Sequence, residues 1–125
     1  MILDTNALSA WIDGDPDIEK VLLQTGILKL NSVSLGEYRF GILQSRNRTE
    51  YERALSLIEA DVEILLIDRT TAVLYAQVRQ ELKTQGTPFP YHDIWIASLA
   101  KQHDLPIVSL DTHFDQVRGI RRVSW

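Results

Sequence analysis

The 125-residue sequence contains no cysteine. That excludes disulfides, thiolate nucleophiles and zinc sites built on sulfur, and it fits a reducing compartment. Long hydrophobic runs are also missing. The apolar stretches are short and broken by charge, so none reaches the roughly 20 residues of a membrane-spanning helix. No membrane association is expected. Met1-Ile2-Leu3-Asp4 offers no basic leader and no signal-like apolar region, so a cytoplasmic location is expected. Net positive charge is lacking too: the formal charge is −4 and the pI is about 5.3. Bulk electrostatics does not draw such a chain to nucleic acid, and a polyanion would have to meet a local basic surface or a metal-filled site. There is no glycine-rich phosphate loop. Ser34, Ser98 and Ser109 lack a nucleophile-elbow context. His92, His103 and His113 have no metal-binding spacing and read as surface or packing residues.

What is present fits a globular protein: 45% of residues are hydrophobic and 24% charged. The length suits one domain over residues 1–125, and no repeat, linker or low-complexity tract divides it. Met1–Leu3 reads as a short buried strand, and Asn6–Ile12 as one or two helical turns ended by Asp13-Gly14. Proline in a first turn predicts a helix from Pro16 to about Gln24. Ile27, Leu28 and Leu30 mark a second strand. Ser34 reads as an N-cap, with Glu37 three residues on as in a capping box, for a helix to about Ser45. A helix over Glu50–Ala60 presents Tyr51, Ala54, Leu55 and Ile58 on one face.

Glu63–Ile67 is a buried third strand. Thr70–Thr84 is an amphipathic helix with Ala72, Val73, Ala76 and Leu82 as expected core contacts. Two prolines keep Gly86–Pro90 non-helical. Asp93–Gln102 is apolar nearly all round, so it predicts a buried helix. Pro106–Leu110 is a fourth strand, and Ile120–Trp125 a last edge strand. Helices alternating with buried strands predict an α/β fold, a mainly parallel sheet with helices on both faces. Trp11, Trp95 and Trp125 read as core, and Asp115 as solvent-facing.

Four acidic residues stand where apolar structure stops or turns inward: Asp4, Glu37, Asp93 and Asp111. Asp4 and Asp111 each follow an apolar run. If those runs are neighbouring parallel strands, both carboxylates emerge at the sheet's carboxyl edge, where ligands of open α/β sheets bind. Each acid also has a structural explanation. Asp4, Asp93 and Asp111 suit helix or turn N-caps. Glu37 suits a solvated or capping role, although it shares a face with Val33, Phe40 and Gly41. Together, carboxylates with little nearby base make a seat for a hard divalent cation such as Mg²⁺. Arginines cluster at Arg39, Arg46, Arg48 and Arg53, and again at Arg118, Arg121 and Arg122. Taken alone, each cluster reads as a solvated face.

Ile2-Leu3-Asp4-Thr5-Asn6, Glu37, Pro90-Tyr91-His92-Asp93-Ile94-Trp95-Ile96-Ala97 and Ser109-Leu110-Asp111-Thr112-His113-Phe114 together resemble a PIN-domain ribonuclease. The short length and C-terminal pattern resemble the VapC-type toxins of type II toxin–antitoxin pairs. The resemblance implies a three-layer α/β/α sandwich around a parallel sheet. It implies an acidic quartet at Asp4, Glu37, Asp93 and Asp111, with Thr5 and Asn6 as accessory polar positions. It further implies Mg²⁺ (or Mn²⁺) as cofactor, RNA as substrate, an antitoxin protein as partner, and a homodimer or a toxin–antitoxin hetero-oligomer. On that reading Asp4, Asp93 and Asp111 ligate metal directly or through water, and Glu37 ligates or orients the attacking water. A PIN-like scaffold that binds RNA or protein without cleaving it is one alternative. A phospho-acceptor receiver domain is another, but Asp4 has no acidic neighbour and no lysine lies beyond Lys101.

Overall fold

A computed structural model describes residues 1–24 and 26–125. Among the described residues five strands form one sheet: β1 Ile2–Leu3, β2 Lys29–Asn31, β3 Glu63–Leu65, β4 Ile107–Val108 and β5 Arg122–Val123. Their order is β3-β2-β1-β4-β5 and every pairing is parallel. Six helices flank it: α1 Thr5–Ile12, α2 Pro16–Gln24, α3 Ser32–Leu43, α4 Arg48–Asp61, α5 Arg69–Gln85 and α6 Tyr91–His103. The result is the expected three-layer α/β/α sandwich.

The period-two alternation of a strand assigns successive side chains to opposite faces. Leu3, Leu30 and Val108 point to one face and pack with residues of α1 to α4 such as Leu8, Ile18, Tyr38 and Leu55. Ile2, Leu65 and Ile107 point to the other and pack with Val78 and Leu82 of α5 and Ile94 to Ala100 of α6. The three tryptophans, expected in the core, are each only partly buried. Trp11 and Trp125 lie against the first core, and Trp95 stacks on Tyr75 at 3.9 Å between ring centroids.

Three expectations are corrected. The N-cap of α3 is Asn31, not Ser34. Asn31 Oδ1 accepts from the Ser34 amide at 2.8 Å, while its Nδ2 donates to the Leu3 carbonyl at 2.8 Å. That second bond ties the helix start to β1, which a local capping box cannot do. The inward face of α5 consists of Thr71, Val78 and Leu82. Ala72, Val73 and Ala76 are exposed. Finally, β3 ends at Leu65; Leu66 and Ile67 lie beyond the strand, exposed at the sheet edge.

Candidate active site

Strand order reverses between β1 and β4, so the crevice at their carboxyl ends is the ligand-binding position of an open α/β sheet. Asp4 follows β1 directly. It is 4% exposed and caps α1, its Oδ1 accepting from the Ala7 amide at 2.8 Å. Its other oxygen accepts from the Ser109 hydroxyl. Ser109, fully buried after β4, also accepts from the Asp111 amide at 2.9 Å. One hydroxyl thus ties the ends of the two central strands together. Asp111 caps the 3-10 turn Thr112–Gln116, accepting from the His113 amide at 2.9 Å.

Asp93 lies in the first turn of α6 rather than at its cap, which is Pro90. It is buried, and its Oδ1 sits 3.3 Å from His92 Nε2. Glu37 projects from the second turn of α3. Thr5 Oγ1 donates to its Oε2 at 2.8 Å, and His92 Nδ1 lies 3.2 Å from its Oε1. Of its helical neighbours Val33 packs against the second core while Phe40 and Gly41 are exposed, so the expected apolar stripe is buried only at Val33. What turns the carboxylate inward is Thr5 and His92. Asn6 is exposed and lines, with Thr5 and Glu37, an open groove of about 320 Å³.

Three residues that the sequence presents as surface, packing or chemically idle stand in the site. His113 Nδ1 stands 2.6 Å from Asp111 Oδ1. Donor atoms of Asp93, Asp111 and His113 lie within 4.8 Å of one another. That spacing is close to what one ion at roughly 2.0–2.6 Å from each donor needs, and carboxylates plus one imidazole suit a divalent cation. The cluster can therefore hold a metal. His92, half-exposed, bridges Glu37 and Asp93. Ser109 is the third. The available signals were adjacency, His92 beside Asp93 and His113 two residues past Asp111, rather than any metal-binding spacing.

Crowding shows in the protonation equilibria. Burial raises the Asp93 pKa to about 6; His92 opposes this, and Asp111, Glu37 and Asp4 add to it. Burial also raises Asp4, with Ser109 and the Ala7 amide opposing and Asp111 adding. Between its unfolded value of 3.8 and about 6, folded Asp93 binds more protons than the unfolded chain. Its contribution to stability is therefore full at low pH and lost as pH rises through that window. The ceiling is about 3 kcal/mol, reduced because water reaches the open side of the cluster. In chelator, the stability of wild type relative to Asp93→Asn should fall from pH 4 to pH 6 and level off above. Urea titrations across that range read the difference directly. A flat difference would mean that Asp93 is not crowded.

The PIN domain profile matches residues 1–120. The tRNA(fMet)-specific endonuclease VapC of Shigella flexneri is 33% identical over 130 residues, covering 99% of this chain and 96% of that protein. Ribonuclease VapC5 of Mycobacterium tuberculosis is 28% identical, covering 98% and 90%. Among solved structures, DNA-bound VapBC from Salmonella typhimurium superposes with a TM-score of 0.87 at 28% identity, covering 99% of this chain and 96% of that one. The chain belongs to the PIN-domain family and, within it, to the VapC toxins of VapBC toxin–antitoxin systems.

Proposed function

We propose that this chain, as a single nuclease unit over residues 1–125, is a Mg²⁺-dependent endoribonuclease and the toxin of a toxin–antitoxin pair. The observation that carries the reading is the Asp93, Asp111 and His113 donor cluster at the sheet's switch point. The ribonuclease names of its relatives support it. Asp4, Asp93 and Asp111 would hold Mg²⁺, with Mn²⁺ as a substitute. When bound, such an ion screens the phosphate charge and acidifies water.

Glu37 is the group suited to orient the attacking water and take its proton. Thr5 holds one of its oxygens, so the carboxylate keeps a fixed direction. Ser109 fixes Asp4, and Asn6 stands exposed beside them for a substrate contact. Crowded carboxylates deprotonate more readily as a cation arrives, so metal affinity should weaken below about pH 6, the Asp93 value.

RNA is the substrate and a separately encoded antitoxin the partner. Solved relatives are VapBC complexes. The groove beside Glu37 carries Asp13 and Glu37 and no lysine or arginine, which suits a basic antitoxin peptide. Exposed Phe40, Leu66 and Val73 are available to a homodimer or a toxin–antitoxin hetero-oligomer. The deciding assay incubates purified protein with RNA, with and without chelator. Cleavage that EDTA stops, added Mg²⁺ restores and the antitoxin suppresses is expected. RNA binding without cleavage at any Mg²⁺ or Mn²⁺ concentration would mark a non-cleaving scaffold instead.

A further inference from the structure

Two grooves flank the acidic cluster, and their charges are opposite. The first, beside Glu37, carries two carboxylates and no cation. The second, about 270 Å³, is walled by Arg79, Lys83, Phe89 and Tyr91 over a floor of Leu82 and Ile94, and no carboxylate lines it. Phe89 belongs to both this groove and the cluster's surroundings. Its ring meets His113 edge-on at 5.7 Å between centroids, and His113 is one of the three clustered donors. Phe89 therefore links the second groove to the cluster.

We infer that the Phe89–Tyr91 groove binds one nucleotide of single-stranded RNA, its base against the aromatic rings and a flanking phosphate at Arg79 and Lys83. This rests on the ribonuclease reading. The cations are uncompensated: among the described residues no carboxylate lies within ion-pair distance of Arg79 or Lys83, whereas Arg39, Arg48 and Arg122 pair with Glu59, Glu52 and Asp115. Glu81, between the two in sequence, faces Lys101 at 4.0 Å. Arg79 instead lies 4.1 Å from the Tyr91 ring centroid and donates to the Tyr91 hydroxyl at 2.9 Å.

Arginine beside an exposed aromatic ring is the combination that holds unpaired bases and their backbone. Tyr91 is 60% exposed, so its surface is open to a ligand. Phe89 sits between Pro88 and Pro90, which restrict the backbone there, and its ring meets His113 and Phe114 edge-on. The volume falls just under the roughly 300–1,000 Å³ of small-molecule sites, a size that suits a single base. On a chain of charge −4, Arg79 and Lys83 give this groove a local positive field that favours a polyanion.

The test measures binding of a short fluorescein-labelled single-stranded RNA by anisotropy, in an Asp93→Asn background that prevents turnover. Adding Arg79→Ala and Tyr91→Ala should weaken binding about tenfold or more, the scale of one lost base stack. Adding Lys83→Ala should lower the salt slope by about 0.7, one phosphate contact on a single strand. Arg53→Ala removes the same charge from α4 and should change little. An RNA carrying abasic sites should bind the unaltered groove more weakly, a readout independent of any variant's folding.

Equal binding by groove variants that melt like their parent overturns the inference, as does an equal loss in Arg53→Ala. If wild type cleaves RNA in a chelator-sensitive way while groove variants bind normally, only the groove fails. If RNA binds through the groove but wild type never cleaves it, only the ribonuclease reading fails. No RNA binding at all overturns both.

Discussion

Asp93→Asn is expected to lose RNA cleavage by about a thousandfold or more while melting, in chelator, at or above the wild-type temperature at pH 7. The two halves have one cause. Asp93 is buried among Asp111, Glu37 and Asp4, and its carboxylate form is disfavoured enough to carry a pKa of about 6. Asparagine keeps the shape and removes the charge, so the metal-free protein sheds a repulsion. The same change removes an anionic donor from the Asp93, Asp111 and His113 cluster. Metal stabilisation of the reacting phosphate is worth several kcal/mol, and about 4 kcal/mol is a thousandfold in rate. Asp4→Asn is a less clean experiment. Asp4 also caps α1 and accepts from Ser109, so lost activity there mixes with lost structure. Gel assays of cleavage at saturating Mg²⁺, beside thermal melts in EDTA, check both halves. Full cleavage by Asp93→Asn, under conditions where chelator stops wild type, would remove Asp93 from the mechanism.

Half of the acidic cluster was legible in the sequence because Asp4 and Asp111 follow strands. Apolar runs ending in Asp4 and Asp111 already placed both carboxylates at one sheet edge, provided the strands were parallel neighbours, and β1 and β4 are. The bounds of α2 were equally legible, since Pro16 marks its first turn. The misreadings arose where a tertiary partner decided a local choice. Ser34 with Glu37 satisfied the capping pattern, yet Asn31 caps α3 because its amide also reaches the Leu3 carbonyl.

On α5, counting apolar residues selected Ala72, Val73 and Ala76. The buried stripe includes a threonine, Thr71, which forms a capping box with Asp68 and contacts Gln102 of α6. The Asp68–Thr71 capping pattern is local, but the contact with Gln102 that accompanies Thr71's burial is not. His92 and His113 were passed over because their partners lie elsewhere or across a turn. Glu37 is 55 positions from His92 (92 − 37), and His113 reaches Asp93 only once the 3-10 turn has folded.

The turn that carries His113 hangs on Phe114, and Phe114→Ala should be the most damaging core truncation near the site. Its ring is fully buried among Ile2, Leu99 and Ile107 and meets Phe89 edge-to-face at 5.9 Å between centroids. Removing a buried phenylalanine costs about 3–5 kcal/mol, a melting-temperature drop on the order of 10 °C. The urea midpoint should fall with an unchanged slope, the mark of lost stability rather than a changed unfolded state. The effect should also reach function. Asp111 and His113 immediately precede the ring, and Phe89 rests against both Phe114 and His113. With the anchor gone, two of three clustered donors lose their fixed position, where a displacement of about 1 Å can cost a hundredfold in rate. Phe114→Leu keeps an apolar anchor and should cost less on both counts. Cleavage measured at a temperature where circular dichroism shows all three proteins folded separates the two contributions. If Phe114→Ala cleaves like wild type there, the ring serves packing alone and the turn holds its donors without it.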